Sequence, residues 1–164
     1  MSEDDRPLRP RRGRTPDRAE DLAPRVTRRS LPIALLRARE AVMARFRPML
    51  AEHDVTEQQW RAIRILGEAG PLDAAELSER CCILAQSMTR IVRGLQQRGL
   101  VTRRRDAGDA RRLLLELTPL ARQLLREVTP KSRRIYRELE ARYGARRLEL
   151  LLEMLDELAS TRPR

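Results

Sequence analysis

Residues 109–118 read Asp-Ala-Arg-Arg-Leu-Leu-Leu-Glu-Leu-Thr. An acid and an arginine two apart follow the turn pair Ala107-Gly108 and lead into an apolar run. Arg103-Arg104-Arg105 stand just before the turn. Two short strands, Leu100-Val101 to Arg105 and Arg112 to Leu117, around a basic, turn-forming tip make a β-wing that reaches the DNA backbone or minor groove. An Asp109 carboxylate that holds the Arg111 side chain in one rotamer reduces the entropy lost on binding. The stretch therefore predicts a winged-helix DNA binder, and the rest of the chain has to supply a helix-turn-helix and a way to dimerise.

Immediately upstream the first requirement is met. Asp73 with Glu76 three later forms a capping box that opens a short helix, Ala74 to about Cys81, anchored by Leu77. A turn around Ile83-Leu84 leads to a second helix, about Ala85 to Arg98. Its inner face is Met88, Ile91, Val92 and Leu95, and Gly99 is placed as its C′ cap. Helix, short turn, helix over about 73–98 is the helix-turn-helix plan. The polar face of the second helix carries Gln86, Ser87, Thr89, Arg90, Arg93 and Gln97, residue types that read base edges or hold phosphates. Residues 84–112 hold eight arginines and two aspartates, so positive charge is focused on this span.

The flanks are helical. Ile33, Leu36, Met43 and Phe46 give an apolar face to a helix from Leu31 to about His53. Thr56 and Gln59 form another capping box, followed by Trp60, Ile63 and Leu66 at helical spacing and a stop at Gly70-Pro71. Thr118-Pro119 starts a helix to around Val128, where Pro130 is expected to kink it, and the pattern resumes to Tyr143. After Gly144 a last helix, about Ala145 to Ala159, has Leu148, Leu151, Leu152, Leu155 and Leu158 as its stripe. Apolar stripes at both ends exceed what a lone winged helix needs, and packing against a second copy explains them. The expected class is mainly α: a winged helix-turn-helix with N- and C-terminal dimerisation helices (118–160 at the C-terminal end) and a small two-stranded wing (100–117).

Residues 1–30 differ in composition, with nine arginines, six acids and four prolines. Such a segment buries too little surface to offset its ordering entropy, so a disordered arm is expected before a domain at 31–164. It brushes DNA phosphates or is a functionless extension, and the residues leave both open. The chain has 164 residues, enough for one domain with a real core, and a net charge of +11, which fits a polyanionic partner. Lys131 is the only lysine. Coding bias toward Arg accounts for that ratio but not for the sign of the charge. The acidic N-terminus lacks an apolar signal region and no run approaches a membrane span, so a cytoplasmic protein with no membrane partner is expected. Two cysteines and one distant histidine lack the spacing of a zinc site, and neither a nucleophile elbow nor a phosphate-binding glycine loop occurs. No metal, cofactor or catalytic residue is predicted, and the chain is not expected to be an enzyme.

Leu84-Ala-Gln-Ser-Met-Thr-Arg-Ile-Val-Arg-Gly-Leu-Gln-Gln-Arg-Gly-Leu-Val resembles the recognition helix of MarR-family transcriptional regulators and its exit into the wing. Asp109, Arg111, Leu117 and Thr118 match the family's wing signature. The resemblance covers about residues 31–160. Within the family, Leu35-Leu-Arg-Ala-Arg-Glu-Ala-Val-Met, Phe46-Arg-Pro, His53 and the run from Thr56 to Leu66 are similar to the homoprotocatechuate-operon repressors. The resemblance implies a dimer that sets two recognition helices about one DNA turn apart on a roughly palindromic operator. It implies base or phosphate contacts from Ser87, Thr89 and Arg90, and wing contacts from Arg103, Arg104, Arg105 and Arg111, with Arg112 beside them. It also implies release by a small aromatic carboxylate, a hydroxylated phenyl or pyridine acid, and control of aromatic-acid catabolism genes.

Such a ligand needs a cation for its carboxylate and an apolar slot for its ring. Arg37 and Arg39, with Met43, His53 and Trp60, are the candidates. His53 also suits a helix C-terminus, and Trp60 a core. Two alternatives stay open: a repressor of the same fold that senses redox state through Cys81 or Cys82, and a non-regulatory basic winged-helix protein that binds nucleic acid.

Overall fold

The computed structural model describes residues 30–109 and 111–161. The expected arm therefore lies outside the described residues except for Ser30. Eight elements follow in order: α1 Leu31–Ala51, α2 Glu57–Ala69, α3 Ala74–Arg80, α4 Ala85–Gln97, β1 Val101–Arg105, β2 Leu113–Leu117, α5 Pro119–Tyr143 and α6 Ala145–Ser160. The chain divides into two units, Met1–Glu40 and Ala41–Arg164. Of the first, the described part is the opening of α1, where the Ala34 N–H donates to the Ser30 carbonyl at 2.9 Å and Leu31, Leu35 and Leu36 are exposed.

In the second unit local chemistry sets the helix starts. The Thr56 hydroxyl accepts from the Gln59 N–H at 3.2 Å, while Gln59 Oε1 accepts from the Thr56 N–H at 3.1 Å. Asp73 and Glu76 repeat the arrangement at 2.9 and 3.1 Å. Thr118 caps α5, with Pro119 in its first turn. Each such cap contributes about 1 kcal/mol. α4 ends in a Schellman motif: Gly99 takes φ +66°, its N–H donates to the Gln96 carbonyl, and the Leu100 N–H donates to the Leu95 carbonyl, both at 2.9 Å.

β1 and β2 pair antiparallel, Val101 opposite Leu117 and Arg105 opposite Leu113. Leu72 adds a bridge to Leu115. The core gathers one face from every element but α6: Phe46 and Leu50 of α1, Ile63 and Leu66 of α2, Leu77 of α3, Met88 and Leu95 of α4, Val101 of β1, Leu115 and Leu117 of β2, and Ala121 and Val128 of α5.

One feature departs from expectation. α5 runs unbroken through Pro130 for 25 residues. Pro130 removes one hydrogen bond, but buried Val128 and Ser132 on either side of it hold the helix on the core. α6 has no buried residue, and Leu150, Leu151, Leu152, Met154 and Leu158 all face outward.

Candidate nucleic-acid interface and ligand cavity

Gln86, Ser87, Thr89, Arg90 and Arg93 are all exposed on α4, on the side opposite buried Met88, Ile91, Val92 and Leu95. The angle between α3 and α4 is fixed by a turn in which Cys82 adopts φ +50°. That turn is tied down from two sides: Arg61 donates to the Cys81 carbonyl at 2.7 Å, and the Ser78 hydroxyl donates to the Ile83 carbonyl at 2.5 Å. Cys81 is buried and Cys82 exposed. Burial pushes the Cys81 thiol up, away from the thiolate that redox sensing requires.

Five arginines ring the wing and they are not equivalent. Arg103, Arg105 and Arg111 are exposed and their side chains form no hydrogen bond or ion pair among the described residues. Arg104 pairs with Glu116 at 3.0 Å, and Arg122 of α5 reaches the same carboxylate at 3.3 Å. Arg112 pairs with Asp73 at 2.6 Å and Glu76 at 3.2 Å. At the tip, Asp106 Oδ1 accepts from the N–H groups of Gly108 and Asp109 at 2.7 and 3.1 Å, and these bonds hold its carboxyl below the usual range. Asp109 does not grip the Arg111 guanidinium. Its Oδ1 accepts from the Arg111 backbone N–H at 2.9 Å, because an Asp side chain in a turn reaches the backbone two residues on. It shapes the tip, and the Arg111 side chain stays exposed with no partner among the described residues.

A cavity of about 430 Å³ opens between α2 and α5. Trp60, Gly67 and Leu125 give it apolar walls, Thr129, Ser132 and Tyr136 bring hydroxyls, and Arg64, Arg133 and Glu68 carry charge. Gly67 keeps the space open: a Cβ there would stand 2.7 Å from Leu125 Cδ1. The Tyr136 ring rests edge-on against Phe46, centroids 5.2 Å apart. Arg64 pairs with Glu68 at 3.0 Å. Burial lowers the Arg64 pKa, but bonding to Glu68 and to Tyr136 more than offsets this and leaves it raised. The arrangement offers two guanidinium cations, a flat indole and several hydroxyl donors within a single slot.

Of the residues expected to bind a ligand, Trp60 lines this cavity and is also buried core. Met43 and His53 do not line it. His53 sits in the turn after α1, its carbonyl accepting from Arg98 at 3.0 Å and its Nε2 buried without a partner. Arg37 and Arg39 belong to the first unit, where both are exposed. Arg64 and Tyr136 are the residues that sequence reasoning missed. Arg64 follows Trp60 by four residues, so the two share a helix face, and that spacing was the available signal.

A helix-turn-helix with an exposed polar recognition helix and a basic wing defines a DNA-binding transcriptional regulator. The MarR family description matches residues 53–112. The homoprotocatechuate degradative operon repressor of Escherichia coli is 41% identical over 128 residues, 78% of this chain and 86% of its own length. The crystal structure of NadR in complex with 4-hydroxyphenylacetate is 40% identical, covers 81% of this chain and 94% of its own, and superposes with a TM-score of 0.73. The repressor CouR, solved on a 23-mer DNA duplex, is 28% identical over 79% of this chain and 92% of its own, with a TM-score of 0.71. The chain belongs to the MarR family. It is a transcriptional regulator, not an enzyme. No helix among the described residues is long and apolar enough to cross a membrane.

Proposed function

We propose that the chain is a homodimeric repressor of aromatic-acid catabolism genes that binds a roughly palindromic operator and is released by a small hydroxylated aromatic carboxylate. The observation that carries this reading is the cavity between α2 and α5, in which Trp60, Arg64 and Tyr136 converge. The Arg64 guanidinium pairs with the ligand's carboxylate, the ring lies along Trp60, and Tyr136 or Ser132 meets the ring hydroxyl. The similarity to NadR, which was crystallised with 4-hydroxyphenylacetate, and to the homoprotocatechuate operon repressor supports that ligand class.

On the DNA side, Gln86, Ser87, Thr89, Arg90 and Arg93 face the base edges, and Arg103, Arg105 and Arg111 meet the backbone. The bare leucines of α6 support pairing with a second copy. The cavity is walled by α5, and α5 starts at Thr118, whose hydroxyl donates to the Gly99 carbonyl at the end of α4. Ligand and DNA are thus coupled through one helix. Release requires that the ligand bind the DNA-incompetent form more tightly, by about 1–3 kcal/mol of coupling.

The test is fluorescence anisotropy with a duplex selected from a random pool, titrated with 4-hydroxyphenylacetate. A selected palindrome and acid-dependent release are expected. Equal binding to every duplex, or preference for structured RNA, would overturn the regulator; selective binding that the acid and its hydroxypyridine carboxylate counterparts leave untouched would overturn the ligand class alone.

A further inference from the structure

Arg112 differs from the other wing arginines in what it holds. Its guanidinium lies 2.6 Å from Asp73 Oδ2 and 3.2 Å from Glu76 Oε2. These are the two residues of the α3 capping box, whose other bonds fix the first turn of that helix. The residue before them, Leu72, exchanges two backbone hydrogen bonds with Leu115 of β2, at 3.2 and 2.7 Å. Residues 72–76 therefore grip the wing twice, once through backbone and once through Arg112, while also starting the first helix of the helix-turn-helix. One guanidinium shared by two carboxylates leaves a local charge of minus one, which makes a poor phosphate clamp.

We propose that Arg112 is a positioning residue that latches the wing to the N-terminus of α3, setting the distance between the wing tip and α4, and is not itself a phosphate contact. The inference rests on the DNA-binding reading above. It agrees with the state of Asp73, whose carboxyl is held below the usual range first by the Glu76 N–H and then by Arg112.

The latch and a phosphate contact predict opposite signs for one experiment. Asp73→Asn with Glu76→Gln removes both negative charges yet keeps a good N-cap and a good capping box, so α3 still starts in place. Long-range electrostatics alone would strengthen DNA binding in that variant. The latch weakens it, because Arg112 loses its anchor. Binding of the full chain to the pool-selected duplex is measured by anisotropy over a salt series. Arg112→Gln and the Asp73→Asn/Glu76→Gln pair are each expected to lose about three- to tenfold in affinity with the log–log salt slope unchanged, and the triple variant to lose no more than either. A slope that falls by about two per dimer in Arg112→Gln, or tighter or unchanged binding in Asp73→Asn/Glu76→Gln, would overturn the latch. An unmodified chain without duplex selectivity would instead defeat the regulator reading itself, which the first titration reveals.

Discussion

The helix-turn-helix lobe and the last helix treat their leucines in opposite ways. α4 hides Met88, Ile91, Val92 and Leu95 and, beyond Leu84 and Ala85 at its start, presents polar residues outward. α6 also carries an apolar stripe in its sequence, yet none of its residues is buried. The lobe completes its own core within one chain. α6 carries an apolar stripe whose burial this chain alone does not provide, which is the pattern of an association surface. Sensitivity to mutation should divide along the same line.

The largest effect is expected at α6. Leu151→Glu with Leu158→Glu puts two charges on one stripe, seven residues apart. Light scattering should report a monomer with the helical content of the lobe intact, and operator affinity should fall by more than about 100-fold as the two half-sites are no longer engaged together. A variant that stays dimeric would break the contrast. Next comes the cavity. Arg64→Gln should cost the acid ligand about 1.5–3 kcal/mol, read by calorimetry, while operator affinity without ligand holds. Arg90→Ala follows, at about 1–3 kcal/mol against the selected duplex with relaxed sequence preference; equal weakening on every sequence would make it a phosphate contact. Arg111→Ala should weaken all duplexes modestly and lower the salt slope by about one per protomer. The smallest effect is from acid. Because the Asp73 pKa is lowered, its contribution is fully present above the ordinary Asp value of about 3.9 and is lost as pH falls through the lowered one. The Asp73–Arg112 pair should thus hold operator affinity unchanged between pH 8 and pH 5, read by anisotropy.

Much of the fold was legible because its signals are local. The capping pairs Thr56/Gln59 and Asp73/Glu76, the Schellman glycine Gly99 and the apolar faces of α2 and α4 all act within one or two helical turns, and each stands where the spacing predicts. Pro130 misled because tertiary packing at Val128 and Ser132 overrides a local rule. The site was less legible for a different reason. Arg64 and Tyr136 meet across 72 positions, and Arg112 finds Asp73 across 39. Nothing in either stretch read singly announces its partner. Asp109 was recognised as a turn-former, but which group on Arg111 it bonds depends on backbone angles that no spacing encodes.

The uninterrupted course of α5 has a mechanical meaning. Thr118 sits against the end of α4, and Tyr136 lies about five turns further along the same helix, roughly 27 Å away at 1.5 Å per residue. A helix broken at Pro130 would absorb a disturbance at Tyr136 at the break. A continuous one can pass it on: a tilt of about 4° at one end displaces the other by about 2 Å. On the proposed reading, a molecule wedged beside Tyr136 would reach the end of the recognition helix through this one continuous helix, without needing to touch it.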